Sequence, residues 1–137
     1  MPDSRPAPPA ADVSPAEVVG FWGDEVGADG WYARSTSLDQ TIRDRFRPAW
    51  EAAATLAPDW AARGPEGALA ALILTDQFPR NMFRGDPRAF ATDALALRLA
   101  DAAIAAGHDM ATPEPARQFF YLPFEHSESL ADQDRAI

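Results

Sequence analysis

Apolar residues recur along the chain at helical spacing. Leu38, Ile42, Phe46 and Trp50 lie four apart, with Arg43, Asp44 and Arg47 on the other side, which predicts an amphipathic helix. It should start near Ser37, with Gln40 as its capping partner, and be kinked or split by Pro48. The helical pattern resumes to about Leu56, and Pro58-Asp59-Trp60 reads as a short turn. Upstream, Ser14-Pro15-Ala16-Glu17 has the form of a capped helix start, and the segment carrying Val18, Val19, Phe21 and Trp22 should stop at Gly23. A glycine- and acid-rich loop is expected over 23–35. Gly64-Pro65-Glu66 opens the most apolar segment, with Leu69, Leu72, Ile73 and Leu74; it should end near Phe78, because Pro79 restricts the residue before it. Residues 88–106 read as one long helix closed by Gly107. Thr112-Pro113-Glu114 begins another, running through Phe119, Phe120 and Tyr121 to Pro123, and an acidic helical pattern continues from Phe124 to Ile137.

Strands find little support. Valine and isoleucine together supply eight residues, and no stretch alternates apolar with polar over six positions. The fold class is therefore all-α. The Pro-Glu helix openings at 65 and 113, left through Gln77-Phe78-Pro79 and Tyr121-Leu122-Pro123, suggest antiparallel helix pairs in an α-solenoid-like stack. Four prolines and few apolar residues make 1–13 a disordered lead-in, leaving 14–137 as a single all-α domain.

Composition narrows the function classes. The chain has 137 residues, 47% of them apolar, enough for one real core. Its net charge of −9 disfavours nucleic acid and anionic membrane surfaces. All twelve basic residues are arginine, which matches the coding bias of a GC-rich genome. With no cysteine there is no disulfide, thiol catalysis or Cys-ligated zinc. No apolar run is long enough to span a bilayer and no signal peptide is recognisable, so a cytoplasmic location is expected.

Two strings carry candidate chemistry. In Asp76-Gln77-Phe78-Pro79-Arg80-Asn81-Met82-Phe83-Arg84-Gly85, an acid at the end of an apolar helix needs a partner, and Arg80 stands across the proline turn. Asp76 is then either an acid or base beside an anion-binding Arg80 or Asn81, or one half of a latch between helices. In Phe124-Glu125-His126-Ser127-Glu128, an imidazole and two carboxylates fall within four residues, with Glu125 and Glu128 on one helical face. Metal-ligand spacing is absent, so no metal and no cofactor is implied, and His108 reads as a loop residue. Trp22 and the Trp31-Tyr32 pair are large aromatics at or near the glycine-rich loop, and Trp31-Tyr32 is placed to roof a cleft.

Val19-Gly20-Phe21-Trp22-Gly23, Trp31-Tyr32, Leu74-Thr75-Asp76-Gln77-Phe78-Pro79-Arg80-Asn81 with Arg84-Gly85, and Phe120 through Glu128 occur in an order that resembles the bacterial domain of unknown function 924 family. The resemblance covers residues 14–137 and implies a tetratricopeptide-like helical stack without a settled activity. It also implies a C-terminal truncation, since family members continue to a second Phe-Pro-His-Arg-Asn-like turn. Self-association through an uncapped C-terminal helix is the expected consequence. The function expected is binding of a small molecule or a peptide in an inter-helix pocket, with Trp22, Trp31, Gln77, Arg80, Asn81, Arg84 and Glu128 as ligand-binding residues. The alternative is an enzyme that uses acid–base chemistry on a small anionic substrate, with Asp76, Glu125 and His126 as catalytic candidates beside Arg80.

Overall fold

The structure is a computed structural model that describes residues 13–127, and these contain helices and turns with no strand. The six α-helices are α1 (Pro15–Gly20), α2 (Thr36–Glu51), α3 (Ala53–Ala61), α4 (Pro65–Leu72), α5 (Phe78–Met82) and α6 (Asp93–Ala105). A last helical segment covers 122–127. The fold is all-α, as expected. Of the lead-in expected over 1–13, residues 1–12 lie outside the described residues, as do Glu128 and the end of the acidic helix, whereas Val13 packs into the core and does not belong to a disordered lead-in.

α4 is the centre of the packing and touches α1, α3 and α6. From Gly67 to Pro79 every residue is buried, in keeping with the most apolar stretch of the sequence. Gly67 lets α3 and α4 close on each other. A Cβ there would sit 2.0 Å from the Trp60 carbonyl oxygen, so no larger residue fits without moving backbone. Around this spine Phe21, Phe46, Phe78, Trp22, Trp31 and Phe119 form a continuous aromatic cluster, with centroids 4.7–6.2 Å apart.

Several boundaries differ from the sequence expectation, and the prolines account for most of them. The Ser14 hydroxyl caps α1 by accepting the Glu17 amide, but the helix runs on past Gly23 as a π-helical turn (Phe21–Val26) until Gly27 takes φ 74°. Ser35, not Ser37, caps α2 by accepting the Leu38 amide. α2 passes through Pro48 and is interrupted at Ala52, because Ile42, Phe46 and Ala49 keep one face buried across the proline. Pro58 likewise lies inside α3, where the burial of Ala53, Ala57 and Trp60 outweighs one lost backbone bond. The long helix expected over 88–106 is a 3₁₀ turn (Pro87–Phe90) followed by α6, and Gly107, with φ 81°, closes it as expected. The helix expected from 112 to 123 is largely a 3₁₀ turn (Ala116–Phe120), with Pro123 inside the following segment.

The departure that matters most is at Pro79. The helix does not stop at Phe78. α4 widens into a π-helical turn (Ile73–Gln77) and continues as α5, with the Phe78 amide bonded to the Ile73 carbonyl. The wider i→i+5 register lets Pro79 enter as the second residue of a new helical turn, where its missing N–H costs little. Asp76 therefore lies inside a continuous, buried helical rod and not at a helix end, so a partner for it is required by burial and not by the helix dipole.

Candidate functional site

The π-turn frees backbone carbonyls, and the groups that satisfy them build the site. The Thr92 hydroxyl donates to the Thr75 carbonyl at 2.6 Å and accepts the Trp50 indole N–H at 3.1 Å. Arg80 Nη1 donates to the Asp76 carbonyl at 2.8 Å. The same nitrogen reaches Asp76 Oδ1 at 3.2 Å, and the guanidinium forks onto Asp93 at 2.9 and 3.0 Å. Asp93 opens α6, where a carboxylate also suits the helix dipole, so Arg80 ties the π-turn to the start of α6.

Asp76 is sealed, with 1% of its surface exposed. Besides Arg80 it accepts from Gln77 Nε2 at 3.1 Å and faces His126 Nδ1 at 3.0 Å, across fifty residues of sequence. An ionised carboxylate only accepts, so the imidazole must carry its proton on Nδ1 in this bond. His126 is thereby held by one edge, and it lines a cavity.

That cavity, about 210 Å³, lies between α5, the loop after Gly30 and the 122–127 segment. Gln77, Arg80, Asn81 and Arg84 line it from one side, Trp31 and Tyr32 from another, and Leu122 and His126 close it. Asn81 Nδ2 donates to Asp39 Oδ1 at 3.0 Å, and Arg84 forks onto the same carboxylate at 2.9 and 3.1 Å. The bond to Asp39 raises the Arg84 pKa above its ordinary value, so this guanidinium stays charged. Trp31 is fixed from behind, its indole N–H donating to the Trp22 carbonyl at 2.7 Å, and the Tyr32 hydroxyl donates to Gln118 Oε1. Burial, then the negative charges of Glu125 and Asp76, push the Tyr32 phenol up.

The structure thus brings Trp31, Gln77, Arg80, Asn81, Arg84 and His126 to one cavity, with Asp76 directly behind it. Trp22 does not line it. It is a core residue stacked on Trp31, 6.2 Å away with planes 11° apart. Glu125 is exposed and outside the lining, close enough to act on Tyr32 only through its charge. Glu128 lies outside the described residues. Asp39 and Asp93, the carboxylates that hold Arg84 and Arg80, are missed by the sequence reading. Their partners lie 45 and 13 residues away, and nothing local marks either one. No group of three or more His, Asp or Glu side chains suited to a metal ion occurs among the described residues. A larger groove of about 770 Å³ runs between α2, α3 and α6, but Trp50, Pro58, Leu95 and Leu99 make it mainly apolar, and it holds none of the motif residues.

Fold and site together define an all-α protein in which a buried carboxylate orients a histidine at the wall of a small polar cavity. Residues 18–137 match the family model described as bacterial protein of unknown function DUF924, and the chain belongs to that family. A solved structure of a protein of unknown function from Agrobacterium tumefaciens, ATU0120, is similar at 48% identity and a TM-score of 0.79, over 89% of this chain and 69% of that one. No curated protein matches. No helix among the described residues is long and apolar enough to cross a membrane.

Proposed function

We propose that the protein binds a small polar molecule in the cavity between α5, Trp31-Tyr32 and His126. The observation that carries this reading is convergence: residues from three separate sequence strings, at 31–32, 77–84 and 122–126, line one space. A latch between helices would need the Asp76–Arg80–Asp93 bonds alone. It would not need a second arginine, an asparagine and two aromatics around a void beside them. The volume is below the several hundred Å³ of usual drug-sized sites, which favours a ligand of few atoms over a peptide. Thermal-shift screening of small polar metabolites tests it. A true ligand at one hundred times its Kd raises stability by about 2.7 kcal/mol, and the rise should vanish in His126→Ala. A rise that persists in that variant would place binding elsewhere.

The Asp76–His126 pair favours a second reading, acid–base catalysis on the bound molecule. A histidine fixed through Nδ1 by a buried carboxylate can exchange a proton at Nε2 in a defined direction. In that case His126→Gln should cut turnover about 10²–10⁴-fold while binding is retained. Equal loss of both would leave a binding pocket.

A further inference from the structure

Resting on the small-molecule reading above, the geometry points to a ligand class: we propose that the cavity receives a primary ammonium group, carried by a small aliphatic amine, and not an anion. The argument begins with what each lining group has left to offer. The Gln77 and Asn81 amides both turn their NH₂ groups to carboxylates, Asp76 and Asp39. This orientation is fixed by chemistry, since a carboxylate accepts and cannot donate. Each amide therefore keeps its carbonyl oxygen uncommitted. Both residues are 6% exposed and line the cavity, and neither oxygen has a protein donor among the described residues. His126 gives Nδ1–H to Asp76, so its neutral ring offers the lone pair of Nε2. The three residues that carry these acceptors line one small space, and an ammonium group has three N–H donors.

The charges agree. Arg80 and Arg84 line the cavity but are forked onto Asp93 and Asp39, with Asp76 behind them. Two guanidiniums, and one imidazolium when His126 is protonated, face three carboxylates. The cluster is therefore neutral at most, and Glu125 adds a further negative charge beside Tyr32. An incoming carboxylate or phosphate could reach only the donors these aspartates leave open, such as Arg84 Nη1, and would there lie beside carboxylates that repel it. An ammonium displaces nothing, and Trp31 and Tyr32 present aromatic surface of the kind that attracts a cation.

The test uses the ¹⁵N-labelled 137-residue chain titrated with methylammonium chloride, sodium acetate and sodium phosphate at matched ionic strength. Saturable shifts at the Trp31 indole and the Gln77 and Asn81 side-chain amides with methylammonium alone are expected. His126→Asn should weaken that binding about tenfold, the worth of one hydrogen bond, because its amide can still donate to Asp76 but offers no Nε2 acceptor. Saturation by acetate or phosphate in place of the amine overturns the ammonium assignment and leaves the small-molecule reading standing. Absence of saturable shifts with all three probes overturns the ammonium assignment and leaves the small-molecule reading to the thermal-shift screen. An unchanged methylammonium affinity in His126→Asn overturns the three-acceptor geometry, and if that variant fails to fold, the comparison of probes on the wild type decides alone.

Discussion

Replacing Asp76 with asparagine keeps the shape of the side chain and removes the charge that three donors share. Its two oxygens accept from Arg80, His126 and Gln77, so an amide would have to aim its own N–H groups at one of these donors. Hydrogen bonds to a charged partner contribute about 1.5–3 kcal/mol, and Arg80 keeps Asp93 in the variant. Asp76→Asn should therefore lose about 2–3 kcal/mol, read as a lower urea midpoint at unchanged slope. An unaltered midpoint would mean that the carboxylate is kept to orient His126, at no net gain in stability. Tyr121 offers a second test at this scale. Its hydroxyl donates to Asp109 Oδ2 at 2.6 Å, a bond that lowers the Asp109 pKa and raises that of Tyr121. A depressed carboxylate stabilises the fold above its unfolded pKa and loses that contribution as pH falls through the folded value. A raised phenol stabilises below its unfolded pKa and loses that contribution as pH rises through the folded value. The stability gap between wild type and Tyr121→Phe should thus be widest between about pH 5 and pH 9 and narrow on both sides. A gap that is flat with pH would exclude the bond as its source.

At the scale of elements, the α3–α4 contact depends on one missing methyl group. With a Cβ on Gly67 only 2.0 Å from the Trp60 carbonyl, Gly67→Ala must push two helices apart despite alanine's better helix propensity. Overpacking of this kind costs about 1–3 kcal/mol, and thermal unfolding should show the loss. A higher melting temperature would mean that the helices separate freely. Neither this contact nor the course of the helices past Pro48, Pro58 and Pro79 is legible in the sequence. Local rules treat proline as a stop because they assume i→i−4 bonding at every turn, and at Pro79 the π-turn changes that register. Caps and glycine stops depend on neighbours within four residues, so the Ser14 cap and the Gly107 closure could be read directly. The Asp76–Arg80 bond was legible for the same reason, being four residues long. The pairing of Asp76 with His126 and of Asp39 with Arg84 was not, because only the packed helices bring those residues together.

For the molecule as a whole, the aromatic cluster joins the beginning of the described chain to its end. Phe119 contacts both Trp22 and Trp31, at 6.0 and 4.8 Å, and Trp22 contacts Phe78 at the start of α5. The cavity roof is thus anchored in the core: Trp31 is held by Phe119 on one side and by the Trp22 carbonyl on the other. Fold and site should consequently fail together. Phe119 is 1% exposed, and truncating a buried phenylalanine to alanine costs about 3–5 kcal/mol. In Phe119→Ala that loss should come with a red shift of tryptophan emission under native conditions, as Trp31 loses its edge contact and meets water. The wild type should unfold in one step, with tryptophan fluorescence and far-ultraviolet circular dichroism tracing the same urea curve. An earlier fluorescence transition would mean that Trp31 and its loop open before the helices melt. The cavity would then be a local structure laid on an independent helical core, and its residues could be altered without cost to the fold. Coincident transitions would tie the ligand-facing groups to global stability, so that residues 31–32, 77–84 and 122–126 behave as one unit with the spine that carries them.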